Sequence, residues 1–363
     1  MWKEVPFVSV SGSDRECGEQ VGRATRGAIR SNLARYLEII HRKTGMSRGD
    51  LDDFVTATTP SIKSFDEGIF AEIEGIAAGA GVSVADLVIL NARTELMGSI
   101  SPRRSEESEC TALGATPEAT ASGHTLIGEN WDWKSAVTDN TVVIAVDKPG
   151  VPKCLIFTEA GMVGKIGLNA LGIGVCINFL ASSEDKGAVG VPFHVMLRKV
   201  LSARNMHEAS RVVTQTRRGA SGNYLIGSAG GEVIDIEVTP RQLDMLLPVD
   251  GIITHANHFS SPILRPFDTH RFSSTMTIVR EDRARRLLKT DHGRVDVDSF
   301  KRVFRDHFSH PHSICRHADT TLHPLDQSIT GASIIMDLDE RVMHVTAGPP
   351  CEHHYATIPL ANH

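Results

Sequence analysis

The sequence predicts a layered α+β fold. Three observations carry that expectation. Apolar residues recur at helical spacing through the first hundred positions. Beyond residue 110 the texture changes to short Val/Ile-rich segments bounded by glycine. Helical stretches then come in blocks between runs of strands, which does not fit the one-for-one alternation of a parallel βαβ repeat. With 363 residues, 41% of them hydrophobic, the chain can bury a sizeable core.

Taken in order, Lys3 to Val10 reads as a strand ended by Ser-Gly-Ser-Asp. Glu16 to Lys43 is one amphipathic helix closed by Thr44-Gly45. Asp66-Glu67 opens a second helix over Ile69 to Ala80, and Val84 to Leu96 is a third. Ser99 to Glu109, with a proline, two arginines and three glutamates, reads as an exposed connection. Strands follow at Thr125 to Trp133, Thr141 to Val146, Lys153 to Glu159, Lys165 to Leu168 and Gly172 to Asn178. Two helices, Pro192 to Ala203 and Met206 to Thr214, separate these from strands at Asn223 to Gly227, Gly231 to Val238 and Gly251 to Ala256. Helices at Arg280 to Lys289 and Val297 to His307 precede the last strands, Ser333 to Asp337 and Arg341 to Ala347.

Composition narrows the function. A net charge of -6 gives no electrostatic case for nucleic acid. No run approaches the roughly 18 apolar residues of a membrane span, and the start lacks the apolar core of a signal peptide. Six cysteines lie far apart without CxxC pairs, which fits reduced thiols in a cytoplasmic protein.

The chemistry centres on Cys110, which sits where the charged connection gives way to small and apolar residues. With Ser122-Gly123-His124 as a turn, Cys110 opens a two-stranded unit and Asp132 returns towards the same end. A thiol needs a base to become a nucleophile. If the Glu109-Cys110 bond is cut, the freed α-amine, with an unperturbed pKa of about 7.7–8.0, lies on the nucleophile's own residue.

A series of motifs in order gives this chain its affinity: Asn91-Ala-Arg-Thr-Glu95, Glu109-Cys-Thr-Ala112, Gly128-Glu-Asn-Trp-Asp132, Glu159 to Asn169, Gly190-Val-Pro-Phe-His194 to Arg198, Thr254-His-Ala-Asn-His258 and Ser313-Ile-Cys-Arg316. On these the chain resembles the acyl-coenzyme A:6-aminopenicillanic acid acyltransferase family (peptidase family C45). The resemblance implies a four-layer αββα N-terminal nucleophile (Ntn) hydrolase fold. It implies self-cleavage into a helical segment, 1–109, and a catalytic core, 110–363, that stay together as an αβ heterodimer. It sets Cys110 as nucleophile, Asp132 as an aid to processing or orientation, Asn257 as an oxyanion donor and Arg316 as a nearby charge partner. Phe193, Thr111 and Trp131 fall around the substrate. Small-molecule acyl amides, amines or acyl-CoA are then the partners, with no cofactor. Where the penicillin enzyme has glycine before its nucleophile, this chain has Glu109, a bulkier residue that would slow the acyl shift. Two readings of other classes stand beside this one: a scaffold that kept the fold and lost the chemistry, and a papain-like protease using His255 or His258, which lacks a CGSCW-type signature.

Other signals weigh less. Seventeen histidines crowd partly around His310, His312, His317 and His323, but no HExxH occurs, so loop and surface histidines are expected and a metal centre is not. Arg93 and Glu95 read as architecture or as site residues with equal force. Lys165 reads as an exposed strand residue, and the Arg280 to Arg286 helix as a solvated charged face.

Overall fold

The computed structural model describes residues 4–98, 110–186, 188–271 and 276–360, so Glu109 and the connection from 99 lie outside the described residues. The chain opens with β1 (Phe7–Ser11), α1 (Asp14–Ala24), α2 (Arg26–Thr44), α3 (Arg48–Phe65), α4 (Glu67–Ala80), α5 (Val84–Asn91) and α6 (Arg93–Gly98). Strands β2 (Thr111–Ala115), β3 (Leu126–Lys134), β4 (Thr141–Asp147), β5 (Cys154–Glu159), β6 (Ile166–Asn169) and β7 (Ile173–Phe179) follow. After α7 (Phe193–Val200) and α8 (Met206–Gln215) come β8 (Gly222–Ser228), β9 (Glu232–Val238), β10 (Leu243–Leu246) and β11 (Ile252–His255). The chain ends with α9 (Met276–Lys289), α10 (Val297–Phe304), β12 (Ser328–Asp337), β13 (Val342–Val345) and β14 (Ala356–Pro359).

The strands form two sheets. One has eight strands in the order β1-β4-β5-β6-β7-β8-β9-β10; the other has six, β11-β2-β3-β12-β13-β14. All pairs are antiparallel except β1 with β4. The sheets stack face to face: Ala112, Ile127 and Trp131 of the smaller sheet share a core with Val175, Ile177 and Leu225 of the larger. On the smaller sheet's outer face, Leu113, Ala115, Leu126 and Ile335 pack against Ala284, Leu288, Phe300 and Phe304 of α9 and α10. The remaining helices cover the larger sheet. This is the αββα order expected, and alternation along β2 and β3 sends successive side chains to the two different cores.

The N-terminal helices are more broken than the periodicity implied. The helix expected over 16–43 divides at Thr25, whose φ and ψ (-112°, 16°) leave the helical region. The one expected over 84–96 divides at Ala92. Helix α3 has a weak apolar stripe, with only Leu51, Thr58 and Ile62 buried, and carries Pro60 internally, which hides it from pattern reading. Helices α1 and α4 approach until their backbones touch. A Cβ on Gly18 would stand 2.2 Å from the Glu72 carbonyl oxygen, and one on Gly75 2.2 Å from that of Arg15. Among the described residues no single helix is long and apolar enough to cross a membrane.

Gly75→Ala should therefore destabilise the fold by about 1–3 kcal/mol through overpacking against backbone. Gly27→Ala, on an exposed face of α2 with nothing within 4 Å, should be neutral or slightly stabilising. Denaturant midpoints of the two variants check the contrast.

Candidate active site

Strand β2 pairs antiparallel with β3, Thr111 opposite Asn130 and Ala112 opposite Glu129. Continued by one residue, this register sets Cys110 level with Trp131. The Cys110 side chain therefore shares the inter-sheet face with Glu129 and Trp131, while Thr111, Asn130 and Asp132 point to the helix side. The thiol is 3% exposed and lines a pocket with Arg93, Trp131, Trp133, Lys165, Ile177, Phe179, Phe193 and His194. Its free volume is about 20 Å³, room for roughly one water.

The charges behind the pocket form a closed set. Glu159, at the end of β5, accepts from Arg93 (2.8 Å) and Lys165 (2.7 Å) on one oxygen and is bonded to the Tyr36 hydroxyl on the other. The Trp133 indole donates to the same hydroxyl at 2.6 Å. The Arg93 guanidinium lies 3.9 Å from the Trp133 ring centroid, and the Lys165 ammonium 4.3 Å from that of Trp131. Burial alone would raise the Glu159 pKa, but Arg93 and Lys165 outweigh it and hold the carboxyl down to about 2. Burial pulls Lys165 down to about 8, with Glu159 opposing. Burial, then the carboxylates of Glu129 and Asp132, push the Cys110 thiol well above its ordinary value, while Lys165 pulls the other way. Burial also lifts Glu129 to about 8 although its Oε2 accepts the Ile177 N–H at 2.7 Å. At neutral pH the thiol is thus protonated, facing an acid that titrates just above neutrality and two cations that would favour a thiolate.

On the opposite face one guanidinium ties the remaining parts together. Arg280, buried on α9, donates to the Cys110 carbonyl at 2.8 Å, to the Thr111 hydroxyl at 2.9 Å and to Asn257 Oδ1 at 3.3 Å. Asn257, just past β11, also gives Nδ2–H to the Phe179 carbonyl at 2.9 Å, which leaves its second amide hydrogen for another acceptor. The Asp132 carbonyl receives the Cys110 thiol at 3.8 Å, while its carboxylate accepts from Thr330 at 2.6 Å. The same Thr330 oxygen takes the backbone N–H of Arg316 at 2.8 Å, and the Arg316 guanidinium meets His312 at 3.0 Å.

Of the residues expected at the site, Cys110, Trp131 and Phe193 share the pocket, and Asn257 reaches Cys110 through Arg280. Asp132 and Arg316 meet at Thr330 behind the strand. Thr111 is not brought to the pocket, because strand alternation turns its hydroxyl to Arg280. Glu109 is outside the described residues. Two expectations are corrected. Lys165 is fully buried against the pocket rather than exposed, and Arg280 is buried at the Cys110 carbonyl; Asp282 with Arg285 and Arg286, Arg283 with Asp306, and Lys289 with Asp250 form the ion pairs towards the surface of that helix. Arg93 is a pocket residue, and Glu95 is architecture, accepting the Phe193 N–H at 2.8 Å. Glu129 and Glu159 were missed. For Glu159 the available signal was a lone acid closing an otherwise largely apolar strand, which must find a buried partner; Glu129 sits in a strand with other polar residues and carried no such signal. Neither His255 nor His258 lines the pocket. His255 is held by Glu237 at 2.7 Å, and although burial opposes it, the nearby carboxylates of Asp235 and Glu237 raise it to about 10.

Two sheets stacked between helix layers, with a cysteine heading a central strand beside an asparagine donor, define the N-terminal nucleophile hydrolase class. The chain belongs to the acyl-coenzyme A:6-aminopenicillanic acid acyl-transferase family, whose profile matches residues 119–351. That span holds Asp132, Asn257 and Arg316 and begins beyond Cys110, so Cys110 rests on the geometry above. A relative, the 40 kDa form of acyl-coenzyme A:6-aminopenicillanic-acid-acyltransferase from Emericella nidulans, is 29% identical over 318 residues, 85% of this chain and 84% of its own. Among solved structures, a variant of the conjugated bile acid hydrolase from Clostridium perfringens shares the fold, with a TM-score of 0.51 at 14% identity, covering 69% of this chain and 92% of that one. The protein is an enzyme of the cysteine Ntn class, acting on amide bonds by acyl cleavage or transfer.

The electrostatics predict opposed shifts in thiol reactivity. Lys165→Met should raise the pH midpoint of Cys110 alkylation, and Glu129→Gln should lower it, each by about one unit or more. Mass-resolved alkylation rates at Cys110 across pH check both signs.

Proposed function

We propose that Cys110 is the nucleophile and becomes N-terminal by self-cleavage, and that the mature enzyme passes acyl groups through a Cys110 thioester. The observation that carries this reading is the thiol at the head of buried β2, in an aromatic pocket backed by Arg93 and Lys165. Arg280 holds its carbonyl and Asn257 in one grip. In processing, Cys110 Sγ attacks the Glu109 carbonyl carbon and the Glu109-Cys110 C–N bond breaks. The nitrogen takes the thiol proton to become the α-amine. Water then hydrolyses the thioester, leaving the Glu109 carboxylate and a free thiol. The pieces 1–109 and 110–363 would remain an αβ heterodimer, since Arg93 and Tyr36 are bound to Glu159.

In turnover the α-amine takes the Cys110 proton and the thiolate attacks the substrate carbonyl. The second Asn257 amide hydrogen supports the oxyanion that forms. The leaving amine, or the CoA thiolate of an acyl-CoA donor, departs with that proton. The acyl-Cys110 thioester is discharged by water, giving hydrolysis, or by an amine, giving transfer. Trp131, Phe179 and Phe193 favour an apolar acyl group on a small molecule. Arg280 acts as a positioning residue, since it touches Cys110 and Asn257 through their oxygens. Asp132 and Arg316, joined at Thr330 behind the strand, support the backbone at the cleavage point.

Intact mass of the purified protein tests the reading. Two fragments meeting between Glu109 and Cys110 are expected in the wild type and one uncut chain in Cys110→Ala. A single full-length mass in both would overturn the free-amine mechanism. In processed protein, Asn257→Ala should lower kcat by about 10²–10³-fold on an acyl amide. Dependence of acyl-CoA consumption on an added amine separates transfer from hydrolysis.

A further inference from the structure

Away from the thiol pocket, the fold gathers four metal-binding side chains that are scattered in sequence. His307 follows α10, Cys315 and His317 lie in the connection to β12, and Cys351 sits in the turn between β13 and β14. Their donor atoms all lie within 4.8 Å of one another. The Sγ atoms of Cys315 and Cys351 are 3.5 Å apart, and His317 Nε2 stands 3.8 Å from the first and 3.4 Å from the second. His307 Nε2 is 3.1 Å from His317 Nε2.

We infer that His307, Cys315, His317 and Cys351 form a structural zinc site. With Zn–S near 2.3 Å and Zn–N near 2.0–2.1 Å, a tetrahedron has edges of about 3.8 Å between sulfurs, about 3.6 Å from sulfur to nitrogen and about 3.3 Å between nitrogens. The four separations above match those edges to within a few tenths of an ångström. Two thiolates and two imidazoles are also a donor set that selects zinc, and four protein ligands close the shell against substrate. The surroundings set the histidine tautomer. Glu352 Oε1 lies 3.3 Å from His317 Nδ1, so that nitrogen carries the proton and Nε2 offers its lone pair. The loop is braced independently of any ion, the Cys315 N–H donating to the Asp306 carbonyl at 3.0 Å and the His317 N–H to that of Pro311 at 3.0 Å. Binding releases two protons, one from each thiol, and yields an electrically neutral centre.

The site also has a bearing on the first one. Arg316 lies between two of the ligands, and its N–H is held by the Thr330 hydroxyl that donates to Asp132. An ion there fixes the loop that carries Arg316 against the six-stranded sheet. In sequence the four ligands do not stand out as a group: His310, His312 and His323 of the histidine-rich segment are not in the set, and His307 and Cys351 lie outside that segment.

Elemental analysis of protein purified without chelator should give close to one zinc per chain. Cys351→Ser and His317→Ala should lose it, while Cys110→Ala keeps it. Exchange of cobalt(II) into the wild type should add the visible absorption of a tetrahedral ion and a thiolate charge-transfer band, both absent in Cys351→Ser. Wild-type protein free of zinc and unable to take up cobalt(II) would overturn the assignment. So would a Cys315–Cys351 disulfide found by non-reducing peptide mapping, or zinc retained in both ligand variants. The wild-type readings stand even if a variant fails to fold.

Discussion

A single buried carboxylate, Glu159, constrains the arrangement of this molecule. Removing an ion from water costs several kcal/mol unless the site returns that energy through close, well-directed partners. Glu159 meets that demand with a tyrosine from α2, an arginine from α6 and a lysine next to β6. Three separate pieces of chain must therefore converge on one point of the larger sheet. Where they converge is the wall of the Cys110 pocket. The same charges that settle the tertiary arrangement also set the field in which the thiol titrates.

That field has an uneven balance. Two cations face one ionised glutamate, and the surplus positive charge is screened from water by Trp131 and Trp133. Against it stand Glu129 and Asp132, on opposite faces of β3. The outcome in the resting protein is a protonated thiol, but the energetic distance to the thiolate is governed by groups that can themselves change charge near neutrality. A strand of alternating faces makes this possible. It sends one acid to the thiol and the other to the Thr330 hydroxyl, so two carboxylates within four residues take different tasks.

Much of the fold was legible in the sequence because it depends on local pattern. Val/Ile runs marked β4, β5, β7 and β9, and the Asp66 cap and αL Gly81 bracket α4 as the residue types suggest. Helix breaks at Thr25 and Ala92 were not legible, since the apolar spacing continues across them and only packing decides the turn. Short β10 and β14 carry too few residues to show a period. Around the thiol pocket, Cys110, Asp132 and Asn257 could be singled out from sequence because their residue types suit the proposed chemistry and their motifs match the family. Lys165 and Arg280 could not, because a charged residue in isolation looks solvated; its partners, Glu159 and the Cys110 carbonyl, are supplied only by the fold.

Strand β1 adds in parallel to β4 at the margin of the eight-stranded sheet. A polypeptide beginning at Cys110 would leave β4 as an uncovered edge, with the Val143 N–H and the Asp147 carbonyl among the backbone groups left unpaired. Such an edge invites pairing with other copies, the route to aggregation. The first hundred residues thus shield the sheet from its own kind as well as furnishing Arg93. Their translation ahead of the core means that the cover is already made when the edge emerges.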